Sequence, residues 1–174
     1  MRATELKKMV VLDNRDVEIG KVSDICIDLD KFKVENILVS TGGFFSTKYY
    51  ILNMEDLAEI NNSIQLKCLE EDIDELSDVE LKNSAYESYF FNDLQNIYVV
   101  SADAVTVGPV KELCIDLIEL TFKIIIESTH GKFSKNDYFM IHQDDISDIR
   151  EFIILKLKKD EIKQKTKEYD VKKC

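Results

Sequence analysis

The stretch IGKVSDICIDL, residues 19–29, decides how this chain is read, because it is written twice. It returns as VGPVKELCIDL at residues 107–117, 88 positions further on. Sliding the chain against itself by that offset aligns residues 4–51 with 92–139 without a gap and gives at least fifteen identical pairs. Gly20/Gly108, Cys26/Cys114 and Asp28/Asp116 are among them, as are Ser40/Ser128, Gly43/Gly131, Phe45/Phe133 and Tyr50/Tyr138. Beyond Asn53 one inserted residue moves the register to 89 and pairs Asp56 with Asp145 and Leu66 with Leu155. The chain is a tandem duplication.

Each copy reads as short strands punctuated by polar turns. In the first, MVVLD is followed by an NRD turn and by the long VEIGKVSDICIDL, broken at Gly20. A DKFK turn leads to VENILVS and KYYIL, and a helical turn at MEDLAEI precedes the closing SIQLKC. This spacing predicts a mainly β protein built of two tandem small antiparallel β-barrels. Gly20 and Gly108 are expected at a bulge or sharp bend, where a side chain would clash. Thr4-Glu5-Leu6 and Asn92-Asp93-Leu94 read as matching helix caps before each first strand. The expected division is a first barrel at 1–68, an acidic then aromatic linker at 69–91, a second barrel at 92–158 and a basic tail at 159–174. Ser77 and Glu80 have capping-box spacing, which predicts a short helix in the linker. The tail has helix-forming residues but a thin apolar face at Ile162 and Tyr169, so it reads as a mobile, solubilising segment.

Charge narrows the function classes. Residues 156–174 carry eight lysines against four acids, +4 locally, which leaves −15 on the rest of a chain whose formal total is −11. A body so acidic repels a phosphate backbone, whose binding rests on Lys and Arg contacts, so nucleic acid is not expected as a partner. No run of about 18 apolar residues is present and Met1 opens no basic-then-apolar leader, which predicts a cytoplasmic protein. Cys26, Cys68, Cys114 and Cys174 form no CxxC and have no histidine at zinc-finger spacing. They are read as small hydrophobes in a reducing compartment.

Motifs that carry chemistry are missing: there is no Walker loop, GxGxxG, HExxH or GxSxG. His142 heads HQDD beside Asp144 and Asp145, but the matching segment of the first copy, NMED, has no histidine. A solvated turn is therefore preferred over a metal site. The EEDIDE run lacks the glycine and ligand spacing of a calcium loop. The expectation is a protein that is no enzyme, with no cofactor and no metal.

The order of features in each copy resembles the PRC-barrel family. The first copy supplies Gly20-Lys21-Val22-Ser23-Asp24 and Ile27-Asp28, then Gly42-Gly43-Phe44, then Glu55-Asp56-Leu57. The second keeps Gly108, Val110, Glu112, Ile115-Asp116, Gly131 and Asp145-Ile146, but has His130 for Gly42 and Lys132 for Phe44. The family includes a photosynthetic reaction-centre subunit, the C-terminal part of a ribosome-maturation factor, and short archaeal cell-division proteins. The last group is the most similar. The resemblance implies a protein–protein adaptor in FtsZ-based division, linked through the membrane-anchoring adaptor SepF and recruited to the division site at the membrane. The alternative it implies is an accessory protein of ribosome maturation or RNA processing. A homodimer stays open.

Where would a partner bind? Positions aromatic in one copy and charged in the other are free of core duty, since a charge is rarely buried unpaired. Phe44 aligns with Lys132 and Tyr49 with Asp137, which marks Phe44 and Tyr49 as candidate partner-binding residues of the first barrel. Phe90 and Phe91, at the end of the linker, are either further members of that surface or its cover.

Overall fold

The computed structural model describes residues 1–43, 46–73, 89–128, 138–166 and 174. It divides into two compact units, one of Ala3–Phe91 and one of Met1–Arg2 together with Asn92–Cys174. In the first, helix α1 (Ala3–Leu6) precedes strands β1 (Val10–Leu12), β2 (Glu18–Asp28), β3 (Lys33–Gly43) and β4 (Ser46–Asn53). A one-turn 3-10 helix, Met54–Asp56, then leads to β5 (Leu57–Ile60), β6 (Ile64–Leu66) and, after the linker, β7 (Tyr89–Phe90). The pairings run β5-β6-β1-β2-β3-β4.

Helix α2 (Phe91–Leu94) leads to the second set. It comprises β8 (Tyr98–Val100), β9 (Thr106–Asp116), β10 (Thr121–Glu127) and β11 (Tyr138–Ile141). The 3-10 turn Gln143–Asp145, β12 (Ile146–Ile149), β13 (Phe152–Leu155) and helix α3 (Lys159–Thr166) complete it. Its pairings run β12-β13-β8-β9-β10-β11, the same order as in the first unit. The antiparallel expectation needs one correction in each unit. β6 lies parallel to β1, and β13 parallel to β8, because the chain re-enters beside its own first strand in the same direction. The linker helix expected near Ser77 and Glu80 lies outside the described residues.

The duplication recurs atom by atom in the turns. Asp13 accepts hydrogen bonds from the N–H groups of Arg15 (2.8 Å) and Val17 (3.0 Å), with Asp16 at φ 65°. Its counterpart Ser101 accepts from Val105 N–H (3.1 Å), with Ala104 at φ 59°. Asp28 accepts from Asp30 and Lys31, and Asp116 from Ile118 and Glu119; each turn then places a bulky residue at positive φ, Phe32 or Leu120. Such backbones are costly for non-glycine residues and persist where side-chain acceptors hold the turn. Both long strands also need their glycine. A methyl at Gly20 would overlap the carbonyl oxygen of Ser40, and one at Gly108 that of Glu127. Two strands can approach so closely only where the side chain is missing.

Aliphatic side chains alternate inward along these strands and make the core. Leu6, Val11, Ile25, Ile27, Ile37 and Ile64 are all fully buried in the first unit. Leu94, Val99, Leu113, Ile124, Ile126 and Ile153 are buried likewise in the second. Each contributes about 1.5–3 kcal/mol relative to exposure, which is what holds elements as short as three residues in place.

One arrangement has no counterpart in the expected boundaries. Under the 88-residue offset, Met1–Arg2 and Tyr89–Phe90 are the same element. Yet Tyr89–Phe90 pairs with Ile27 and Cys26 of the first repeat, and Arg2 pairs with Cys114 of the second. Ile115 N–H donates to Met1 O (2.8 Å) to fix the second pairing. Each repeat is completed by the segment that precedes the other.

The tail expectation is corrected. Ile162 on α3 is 2% exposed, and Lys165 forms an ion pair with the buried Asp145. Glu161 accepts from Lys158 N–H (2.7 Å) at the start of the helix, where an acid also suits the helix dipole. One apolar side chain suffices to dock two turns of helix. Cys174 is joined to Cys114 by a disulfide, with Cα atoms 5.4 Å apart, so these two cysteines are not the reduced hydrophobes expected. Cys26 and Cys68 remain thiols.

Candidate functional site

Of the four candidate partner-binding residues, Phe44 lies outside the described residues. Tyr49 stands on β4 opposite Ser40, half-buried. With Ile51 it packs on a small cluster of Cys26, Leu38 and Phe90, on the face of β2–β3–β4 opposite Ile25, Ile27 and Ile37. Phe90 is 9% exposed and serves as the cover of that cluster; Phe91 is wholly buried, with the Lys7 ammonium 5.7 Å from its ring centroid. Tyr49 and Phe90 are thus brought together, with Tyr49 the more accessible of the two. Beneath them the Cys26 thiol is pushed up to about 12, by burial first and then by the nearby Asp24 and Glu35 carboxylates. It is an inert thiol, not a nucleophile.

The acidic groups serve structure. Asp13 is buried, and burial alone would raise its pKa. The N–H groups of Val17 and Arg15 and the Arg15 guanidinium outweigh that and hold it below the usual carboxylate range. Asp145 accepts from His142 N–H (3.1 Å) just as Asp56 accepts from Asn53 N–H (3.2 Å). Each acid closes a one-turn helix. The His142 imidazole is held below its ordinary pKa by burial first and then by Lys123 and Lys165, against the opposite pull of Asp145 and Asp144. HQDD is therefore a capped turn. No group of three or more His, Cys, Asp or Glu among the described residues is placed to hold a metal ion.

An open concavity of about 300 Å³ in the first unit is lined by Arg15, Tyr50, Glu70, Glu71 and Ile73. Tyr50 Oη donates to Glu70 (3.1 Å), and Arg15 spans Asp13 (3.3 Å) and Glu71 (4.0 Å). Its polar groups engage one another, which is the chemistry of a brace.

Two aromatic side chains missed by the sequence comparison are exposed. Tyr98 on β8 (43%) and Phe152 on β13 (47%) face each other across the parallel ladder. Phe152 aligns with Ser63 once the insertion after Asn53 is counted, and Tyr98 with Val10; neither counterpart is charged, so the aromatic-against-charged comparison selects neither. No helix among the described residues is long and apolar enough to cross a membrane.

Residues 1–73 match the family model of the PRC-barrel domain. No curated protein matches the chain.

Proposed function

We propose, with the PRC-barrel domain of residues 1–73 as the premise, that the protein is a non-enzymatic protein–protein adaptor. Its place is in FtsZ-based archaeal cell division, reached through the membrane-anchoring adaptor SepF. The observation that carries the adaptor reading is one hydrogen-bonded scaffold built twice with different outward side chains. Asp13 and Ser101, Asp28 and Asp116, and Asp56 and Asp145 hold equivalent turns. On that common frame, Tyr49 stands where the second copy has an aspartate, and Phe152 where the first has a serine.

Two equivalent frames with unlike faces let one chain engage two surfaces, and linking them raises the effective concentration of the second contact. A formal charge of −11 supports a protein partner over nucleic acid. The division context rests on the resemblance to the short archaeal members of the family. The test is titration of purified SepF into the full chain by calorimetry, together with affinity capture from native lysate. Saturable binding to SepF and recovery of division proteins are expected. Recovery of ribosomal proteins, with no heat on adding SepF, overturns the reading in favour of ribosome maturation.

A further inference from the structure

We propose that the Cys114–Cys174 disulfide is a reversible redox latch, which a small dithiol opens in the folded protein and so loosens helix α3. Cys114 and Cys26 hold the same position in the two repeats, yet their sulfurs lie in opposite surroundings. In the first repeat Phe90 covers Cys26, which is 3% exposed, and Asp24 and Glu35 place negative charge beside it. In the second, Arg2 bridges to Cys114 at the position of Phe90, and Lys123 pairs with Cys114 from the other side. Lys123 is the counterpart of Glu35 under the 88-residue offset. Laterally paired residues project to one face of a sheet, so Cys114 stands in a row between two cationic side chains. Glu112 keeps the acid of Asp24. The exchange of Phe90 for Arg2 and of Glu35 for Lys123 is what distinguishes the two sites.

That difference decides which sulfur can exchange. Cys114 and Cys174 are both half-buried and open to a small reagent, whereas Cys26 is sealed. A thiolate of the dithiol attacks Cys174 Sγ, and the Cys114–Cys174 bond breaks with its electron pair left on Cys114 Sγ. Neighbouring cations stabilise that leaving thiolate. The reagent's second thiolate then attacks the mixed disulfide and expels Cys174 as a thiolate. The two protein sulfurs take up the two protons that the dithiol gives up. The dithiol leaves as a cyclic disulfide, oxidised by the two electrons that the protein gains. An oxidised dithiol runs the sequence backwards.

What the latch holds is α3. Cys114 lies on β9 and Cys174 beyond the helix, so the bond ties the chain past α3 back to the sheet. At the helix start Lys159 N–H donates to Asp103 (3.0 Å); further along, Ile162 is buried and Lys165 pairs with Asp145. A helix as short as α3 is marginal in water by itself, so it persists through its anchors. Releasing Cys174 removes one of them, and the helix opens more often. Each opening bares Asp145, which is 4% exposed while Lys165 is paired with it.

The experiment treats the oxidised full chain with dithiothreitol under native conditions and maps the alkylated cysteines by peptide mass spectrometry. Cys68 should label before and after reduction, Cys114 and Cys174 after it, and Cys26 only on unfolding. Hydrogen exchange of the α3 amides, Lys159–Thr166, should quicken at least ~10-fold on reduction while circular dichroism stays nearly unchanged. The double change Arg2→Phe and Lys123→Glu, which installs the first repeat's residues, should slow the reduction at least ~10-fold. Lys123→Glu alone, at an exposed site, supplies a second test should the double variant lose its fold. It should slow the reduction ~3-fold at low salt and less at high salt. A chain that forms no Cys114–Cys174 bond with oxidised dithiothreitol overturns the proposal, as does a bond that yields only when the whole protein unfolds. So does reduction that leaves α3 exchange unaltered, or a rate that neither folded variant lowers.

Discussion

Phe90 stands opposite Cys26 in the β2–β7 ladder, and its ring seals the outer cluster of the first repeat. Removing the ring should expose Cys26, Leu38 and Ile51 together. Phe90→Ala is expected to cost about 2–4 kcal/mol, read from urea unfolding midpoints at constant m-value. A second readout follows from the same contact. The Cys26 thiol, raised to about 12, should resist a thiol reagent in the natural protein and react in the variant at mild denaturant concentrations. Equal reactivity in both would show that Phe90 is not the cover.

The two interior glycines make a paired prediction. Gly20→Ala and Gly108→Ala each drive a methyl into a backbone carbonyl, which cannot swing aside as a side-chain tip does. A loss of about 1–3 kcal/mol is expected for each, with Gly108→Ala the more damaging of the two because its overlap is deeper. Differential scanning calorimetry of the single variants decides it. Two unchanged melting temperatures would mean that β3 and β10 do not approach as described.

These glycines were legible in the sequence because each interrupts a long apolar strand, and a gap in a strand has few causes. So were the polar turns, since acidic side chains at strand ends have short-range partners. The exchange of Met1–Arg2 and Tyr89–Phe90 was not legible. The two segments are related by the same offset as the strands they pair with. Pairing Phe90 with Cys26 or with Cys114 preserves every local pattern, so periodicity is indifferent between them. Two-residue strands also carry no period of their own. Tyr98 and Phe152 were hidden for another reason: their counterparts, Val10 and Ser63, carry no charge, so a search for aromatic-against-charged positions passes over both. The burial of Ile162 was missed because one apolar residue on a charged helix looks like chance until a cavity receives it. Cysteine pairing could not be read off spacing at all.

Docking of α3 predicts a clear reversal of the free-tail expectation. Ile162→Ala should lower stability by about 2–4 kcal/mol, as for other fully buried aliphatic residues. Reduction of the Cys114–Cys174 disulfide, which spans 60 residues of sequence, should remove roughly a further 2–4 kcal/mol by freeing the unfolded chain. Cys174→Ser should reproduce that loss without reductant. Unfolding curves that coincide with and without reductant would show the bond has no such role.

The pH dependence has two limbs with a common sign. Asp28 is held below its usual pKa by the Lys31 ammonium and N–H, and Asp116 by the N–H groups of Glu119 and Ile118. A carboxylate with a depressed folded pKa stabilises fully above its unfolded value near ~3.9 and loses that contribution as pH falls through the folded one. The main acid limb should therefore lie below about pH 4, and Asp28→Asn should flatten it. His142, also depressed, resists protonation in the folded state, so a smaller loss should begin as pH falls below ~6.5. His142→Gln should abolish that early limb alone, as followed by fluorescence-monitored urea midpoints between pH 3 and 8.

The crossing of leading segments changes what a break in the chain would mean. A protease cut between Ile73 and Tyr89 leaves two fragments, neither of them self-sufficient. The N-terminal piece carries Met1–Arg2, which bridges to Cys114 of the other, and the C-terminal piece carries Tyr89–Phe90, which pairs with Ile27 and Cys26. Separated halves should reassemble on mixing, as complementing pieces of a split protein. By the same logic, a lone ancestral repeat would have had to borrow its leading strand from a neighbouring molecule.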